Sequence, residues 1–130
     1  MDAALFKLGD FGLCRDARLH EGCSTLCGTL DYVAPEVLNA KLNDCEYGQQ
    51  ADVWSYGVSS YIVWTGESPY TNDCLIRQVS KGSISWSSSL LGKHREYLNI
   101  VLNPSPMHRM SSFDLLKRTQ SATEMYSAGA

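Results

Sequence analysis

The 130-residue sequence has no uninterrupted apolar segment long enough to span a bilayer, so we expect no membrane span. It also lacks an excess of positive charge, because 11 Lys and Arg residues stand against 14 Asp and Glu residues, a net charge of −3. This balance excludes the basic surface by which proteins bind nucleic acid or an anionic membrane. Residues 1–6 contain neither a basic region nor a long apolar region, so we expect no secretory signal there.

The cysteines are odd in number and irregularly spaced, which is typical of reduced intracellular thiols and not of a disulfide framework: Cys14, Cys23, Cys27, Cys45 and Cys74. We therefore expect a cytoplasmic location, a nuclear location or both. Cys23 and Cys27 resemble half of a metal site, but no second pair of Cys or His follows at a usable spacing, which argues against zinc. A redox-sensitive disulfide between Cys14 and Cys27 stays open as an alternative to free thiols.

The sequence has the composition of one small globular domain, with 44% hydrophobic residues. Residues 5–8 form a short apolar run before Gly9 and Asp10, which predicts a strand that enters a turn. Residues 12–33 show no helical period and predict a long ordered loop, a feature that indicates function. Pro35 is suited to the first turn of a helix, and the polar residues 39–50 predict a second loop.

The second half of the sequence predicts helices. Residues 51–64 are apolar almost all the way round, which predicts a helix buried on most sides and ended by Gly66. Thr71 or Asp73 is suited to cap a further helix that reaches about Lys81.

Two more helices complete the prediction. Residues 93–102 have helical spacing, and Ser111 or Ser112 is suited to cap a final helix. Residues 119–130 predict a flexible tail. The expected fold class is mainly α, with a short β-strand at the N-terminus.

Four motifs occur in a fixed order: Asp10-Phe11-Gly12, Gly28-Thr29-x-x-Tyr32-Val33-Ala34-Pro35-Glu36, Asp52-Val53-Trp54-Ser55-Tyr56-Gly57 and Pro104-(x)4-Arg109-Met110-Ser111. Together they resemble the C-terminal lobe of a eukaryotic protein kinase. A single Asp-Phe-Gly tripeptide would be weak support, whereas four motifs in register are specific. The segment that ends in Ala-Pro-Glu is similar to that of serine/threonine kinases. Its Cys27-Gly28-Thr29 start resembles the calcium/calmodulin-dependent, checkpoint and Akt-like branches.

The resemblance implies a partial kinase domain over residues 1–118, without the N-terminal lobe and truncated upstream of the Asp-Phe-Gly motif. It implies Mg²⁺ and ATP as cofactors of the intact family. Asp10 would hold Mg²⁺ against phosphate oxygens, and Gly12 would let the backbone swing. The residues themselves leave an alternative, a turn aspartate beside a core phenylalanine.

The resemblance also implies a platform, residues 29–33, on which the hydroxyl-bearing segment of a protein substrate rests. It includes Thr29, Leu30 and Tyr32, and Leu30 stands where the family usually has proline. Thr25, with Ser24 beside it, stands where activation-loop phosphorylation occurs in the family. A phosphate there would pair with basic residues such as Arg15, Arg18 and His20, and the alternative is a solvated loop threonine.

Structural roles are implied for a second set of residues. Glu36 and Arg109 would form a buried ion pair that joins the end of the loop to the last helices. Asp52 would bond to backbone amides of the catalytic loop. Trp54 and Gly57 belong to the same motif of the resemblance and are expected to be structural.

Several parts of a phosphoryl-transfer enzyme are not found in this sequence. It contains no G-x-G-x-x-G and no V-A-I-K-like segment. The stretch from His94 to Leu98 is similar to the H-R-D-L catalytic loop, but it follows the Ala-Pro-Glu segment and has Glu in place of Asp, which favours a helix. Since the chain begins nine residues before Asp10, we expect it to bind no Mg-ATP and to transfer no phosphate by itself.

Three functional hypotheses follow. The first is a fragment of a serine/threonine kinase, inactive alone. The alternative is a catalytically dead binding module that docks a protein substrate or an intact kinase, and a third is a truncation product that is degraded. Because helix 51–64 would have lost covering neighbours, we also expect exposed apolar surface, with marginal stability, self-association or complementation by another chain as its consequence.

Overall fold

The computed structural model describes residues 7–14, 16, 29–43, 47–71 and 75–128. Within these ranges the α-helices are α1 (Pro35–Asn43), α2 (Gln50–Thr65), α3 (Leu75–Lys81), α4 (Gly92–Val101) and α5 (Ser112–Ala128). Two 3₁₀ turns, Phe11–Leu13 and Leu30–Tyr32, precede them. The described part of the chain is therefore mainly helical, as the sequence predicts.

The N-terminal strand is not supported by the structure. Lys7 and Leu8, the described residues of the predicted segment, have irregular backbone, and residues 5 and 6 lie outside the described ranges. A strand needs a neighbouring strand to take its backbone N–H and C=O groups, and the described residues include none. Of the helices in these ranges, none combines the length and the hydropathy that a membrane span requires.

Helix α2 lies at the centre of the core because one of its faces is apolar along its length. Ala51, Trp54, Val58 and Tyr61 recur at intervals of three and four residues and are buried, Trp54 and Val58 completely. The predicted end of the helix is confirmed. Gly66 adopts the left-handed conformation with φ 73°, and its N–H donates to the carbonyl oxygen four residues earlier at 2.8 Å.

Some apolar residues on the other sides of α2 are open to solvent. Val63 is 77% exposed, and Tyr56 and Trp64 are exposed to a smaller extent. The Trp64 ring stacks on the ring of His94 in α4, with centroids 4.3 Å apart. The expectation of uncovered apolar surface on this helix is thus confirmed in the described part of the chain, whereas burial on most sides is not complete.

The core forms where α2 and its neighbours meet. The Leu30–Tyr32 turn contacts α2 and α3, α1 contacts α3, and α4 contacts α2. The α2–α4 contact is tightest at Gly57, where an added Cβ would lie 2.7 Å from side-chain atoms of both Val101 and Leu102. Buried side chains fill this core: Val33, Ala34, Val37, Leu38, Ala51, Trp54, Val58, Tyr61, Tyr70, Val79, Leu98 and Leu102.

The hydroxyl of Tyr61 holds the loop between α3 and α4. It donates to the carbonyl oxygen of Ser85 at 2.7 Å and accepts the backbone N–H of Ser87 at 2.8 Å. The N–H of Ser85 donates to the carbonyl oxygen of Pro69 at 2.7 Å. A helix side chain and a second loop therefore satisfy backbone groups of an irregular segment.

Two helices extend beyond their predicted ends. Helix α1 continues to Asn43, so the loop prediction is wrong for residues 39–43. No Gly or Pro occurs between Glu36 and Tyr47, and the packing of α1 on α3 outweighs the polarity of its second half. Helix α5 continues to Ala128 through a segment without Gly or Pro, where the sequence predicts a loose tail from Thr119.

Candidate functional site

The platform, residues 29–33, is a short turn on the surface. The N–H of Tyr32 donates to the carbonyl oxygen of Thr29 at 3.0 Å, and the N–H of Val33 donates to that of Leu30 at 3.2 Å. Thr29 is exposed and Tyr32 is 37% exposed, whereas Leu30 is partly buried against the core and Val33 is buried. The turn therefore presents a polar edge to solvent and is anchored by apolar side chains.

Ser55, in α2, attaches this turn to the core. Its Oγ lies 2.8 Å from the carbonyl oxygen of Tyr32 and donates a hydrogen bond to it. The same Oγ lies 3.2 Å from the carbonyl oxygen of Ala51, one turn earlier in the helix. Ser55 lies within one of the recognised motifs, but its residue type gave no signal of this contact.

Glu36 and Arg109 form a bidentate ion pair at the end of the platform segment. Arg109 Nη1 lies 2.5 Å from Glu36 Oε1, and Nη2 lies 2.9 Å from Oε2. The Arg109 side chain is fully buried, and that of Glu36 is 15% exposed. Planar, charge-assisted pairs of this kind combine strength with a fixed relative orientation.

Arg109 also contacts two further elements, α2 and the loop after α4. Nη1 donates to the carbonyl oxygen of Gln50 at 2.7 Å, and Nε donates to that of Asn103 at 3.0 Å. The guanidinium carbon lies 5.1 Å from the centroid of the Trp54 ring, a cation–π contact. One side chain thus joins α1, the start of α2, the centre of α2 and the loop after α4, which holds the end of the platform segment rigidly.

Asp52 is not part of this cluster. Its side chain is exposed in the first turn of α2, where a negative charge is favourable to the helix dipole. Of the residues expected to be structural, the structure therefore brings Glu36, Arg109 and Trp54 together and places Gly57 and Asp52 elsewhere on α2.

Asp10 lies on an exposed turn with φ 59°, a left-handed conformation that aspartate tolerates better than most residues. Phe11 is 60% exposed, which contradicts the alternative of a turn aspartate beside a core phenylalanine. No three His, Cys, Asp or Glu side chains are grouped for metal binding in the described ranges. A carboxylate on an open turn does fit Mg²⁺ that is also held by nucleotide phosphates, since such sites use only one or two carboxylates.

The other predicted positions in the long loop lie outside the described residues. These include Thr25 and Ser24, and also Cys23 and Cys27, so the phosphorylation site and the redox bridge stay predictions. Cys14 is an exposed free thiol.

A buried polar pair under the platform was not indicated by any sequence signal. Burial raises the pKa of the Tyr70 hydroxyl to about 12; the Trp54 indole lowers it and the Asp31 carboxylate raises it further. Among the described residues, neither Tyr70 Oη nor Trp54 Nε1 has a hydrogen-bond partner of good geometry. Tyr70 is therefore a protonated, neutral group within electrostatic range of the platform.

The protein kinase domain family matches residues 1–121. Among curated proteins, CBL-interacting protein kinase 10 of Oryza sativa subsp. japonica is 36% identical over 121 residues, which are 85% of this chain and 25% of that protein. Serine/threonine-protein kinase 33 of Bos taurus is 33% identical over 119 residues, 85% of this chain and 24% of that protein. Serine/threonine-protein kinase SCH9 of Saccharomyces cerevisiae is 32% identical over 111 residues, 82% of this chain and 13% of that protein. The chain thus spans about a quarter or less of the length of these relatives.

Proposed function

The chain belongs to the protein kinase domain family, and from this premise we propose that it forms the carboxyl-terminal, substrate-binding part of a serine/threonine protein kinase. Kinases of this kind transfer the γ-phosphoryl group of ATP to a Ser or Thr hydroxyl, and the bound Mg²⁺ neutralises developing charge. The observation that carries the proposal is the anchored platform, fixed to α2 by Ser55 and at its end by the Glu36–Arg109 ion pair.

In this proposal each recognised residue has a separate task. Thr29, Leu30 and Tyr32 receive the substrate segment next to its hydroxyl, and Glu36 with Arg109 keeps that surface in position. Asp10 supplies one carboxylate to the Mg²⁺ of the nucleotide. Because transfer depends on positioning, a rigid platform contributes to the rate by orienting the acceptor hydroxyl.

As a separate 130-residue polypeptide, the chain is inactive in our proposal. Its sequence offers Asp10 but no Gly-rich loop, no V-A-I-K lysine and no H-R-D catalytic loop. A thermal melt with and without Mg-ATP tests this point. A nucleotide at 100 times its dissociation constant would stabilise the fold by about 2.7 kcal/mol, so an unchanged melt agrees with the proposal and a clear upward shift contradicts it.

The platform itself is tested by peptide binding. Fluorescent peptides that contain one Ser or Thr are titrated into the wild-type chain and into Thr29→Glu, a change at an exposed position. The expected loss of affinity is about tenfold, which corresponds to about 1.4 kcal/mol. Ser83→Glu adds the same charge at another exposed site and serves as the control. Equal binding by all three proteins, or no binding by the wild type, would contradict the substrate role.

The second candidate is a binding module that docks an intact kinase or a second copy of this chain. The observation that favours it is the exposed apolar surface of α2, where Val63 is 77% exposed and Tyr56 and Trp64 are exposed to a smaller extent. Light scattering after gel filtration tests it. Val63→Lys should abolish self-association, whereas Ile76→Lys, at an exposed position of α3, should leave it unchanged. A wild-type chain that is monomeric and captures no kinase would contradict this candidate.

A further inference from the structure

The platform has a single polar attachment to the rest of the described chain. Its backbone bonds from Tyr32 to Thr29 and from Val33 to Leu30 are internal to the turn. Among the described residues, the bond from Ser55 Oγ to the carbonyl oxygen of Tyr32 is the one that leaves it for another element. Loss of this bond would therefore leave the turn held to these residues by its apolar packing alone.

The two sides of this attachment differ in burial. Ser55 is preceded by Trp54, which is fully buried and contacts the Arg109 guanidinium. Tyr32, on the other side, is 37% exposed. The bond thus joins a helix of the core to a turn at the surface.

The Ser55 hydroxyl has a second acceptor already within reach. A serine hydroxyl carries one hydrogen, yet two carbonyl oxygens lie near it, that of Tyr32 at 2.8 Å and that of Ala51 at 3.2 Å. Bonds from serine to the carbonyl four residues earlier are common in helices, and both Ser59 and Ser60 make one in α2. If the platform leaves, the hydroxyl can transfer its bond to Ala51, and water can reach the Tyr32 carbonyl.

We propose that Ser55 is a positioning residue, the latch, whose hydroxyl alternates between two acceptors. It donates to the Tyr32 carbonyl when the platform is in the substrate-accepting position. When the platform opens, it donates to the Ala51 carbonyl instead. This role rests on the proposed substrate function of residues 29–33. Neither position leaves the hydroxyl without an acceptor, so the Ser55 bond itself adds little to the cost of opening, which is set by the packing of Leu30 and Val33 on the core.

Hydrogen exchange of the 130-residue chain, followed by NMR, tests the latch without any substrate. Ser55→Ala should speed exchange of the Tyr32 and Val33 amides by about two- to tenfold, the effect of one lost hydrogen bond. The Leu102 amide, bonded within α4, should keep its wild-type rate. Ser55→Thr retains the hydroxyl and should restore slow exchange. Ser60→Ala is the matched control, because it removes a helical serine bond that does not involve the platform.

The outcomes separate this inference from the function on which it rests. Platform exchange equal in Ser55→Ala and wild type, or raised equally by Ser60→Ala, would overturn the latch, as would faster exchange throughout α2 and α4. If Ser55→Ala melts too low for study, Ser55→Cys, a weaker donor of similar size, replaces it with the same expected pattern. A peptide titration of the same variants should show weaker binding at an unchanged melting temperature. Failure of the wild type to bind peptide would reject the substrate function, while the exchange pattern would still decide the latch.

Discussion

Glu36 and Arg109 lie 73 residues apart in the sequence, and their bidentate contact joins the platform segment to the loop before α5. The guanidinium is fully buried and uses its remaining donors on the carbonyl oxygens of Gln50 and Asn103. A charge in this position is tolerated because nearly all its donors are satisfied. The pair therefore contributes mainly by fixing the relative positions of elements distant in the chain.

Arg109→Met should destabilise the fold by about 3–5 kcal/mol, because it leaves a mostly buried Glu36 carboxylate and two carbonyl oxygens without their donor. Urea unfolding followed by tryptophan fluorescence measures the loss. Arg95→Met is the control, since the Arg95 side chain is exposed and lies 5.3 Å from the centroid of the Trp86 ring; the loss of stability should be below about 1 kcal/mol. Equal losses in the two variants would show that the pair does not organise the fold.

Gly57→Ala should destabilise the contact between α2 and α4 by about 1–3 kcal/mol. The new methyl group would lie 2.7 Å from atoms of Val101 and Leu102, and overpacking outweighs the gain in helix propensity. Thermal melts compare it with Gly92→Ala, where an added Cβ meets nothing within 4 Å. We expect Gly92→Ala to match the wild type or exceed it slightly, and a neutral Gly57→Ala would mean that the helices can separate freely.

Tyr70→Phe should make the free energy of unfolding less sensitive to alkaline pH. The pKa of Tyr70 is about 12 in the folded chain and 10.0 in the unfolded chain, so the unfolded state binds fewer protons between these two pH values. Ionisation of Tyr70 therefore leaves stability unchanged below pH 10 and lowers it by roughly 3 kcal/mol as the pH rises towards 12. Urea midpoints from pH 8 upward should decline more steeply for the wild type than for the variant. At pH 7 the variant should be at least as stable, because Tyr70 Oη has no hydrogen-bond partner among the described residues.

Ser111→Ala should cost about 1 kcal/mol by removing the cap of α5. Ser111 Oγ accepts the Asp114 N–H at 3.1 Å and donates to the Asp114 carboxylate at 2.6 Å. Ser112→Ala, one residue later and exposed, is the control and should be nearly neutral. Far-UV circular dichroism during thermal unfolding measures both, and a reversed order would assign the cap to Ser112.

Local signals made α2 predictable to within one residue at each end. Its apolar residues are nearly continuous, and Gly66 is a strong terminator. The association of Glu36 with Arg109 is different, because spacing alone cannot pair residues so far apart; its prediction depends on the kinase resemblance.

The features that the sequence predicted wrongly or did not predict have a common physical cause. The second half of α1 is polar, and its helical state depends on tertiary contact with α3. Likewise, the bond from Ser55 to Tyr32 depends on how the platform packs, and a serine within a helix gives no sign that it will bond outside that helix. The environment of the Tyr70 hydroxyl also depends on packing. It has no hydrogen-bond partner among the described residues, although most buried tyrosines find one.

The Tyr61 hydroxyl makes the hydrogen bonds that a neighbouring parallel β-strand would make. It bonds the carbonyl oxygen of Ser85 and the N–H of Ser87, the two backbone groups that flank Trp86 and that one residue of a parallel strand would engage. A single side-chain oxygen on a helix thus takes the place of the backbone N–H and C=O of one residue in a parallel strand. Because these two bonds use only backbone groups of the loop, they fix its course over α2 whichever side chains stand at positions 85 and 87.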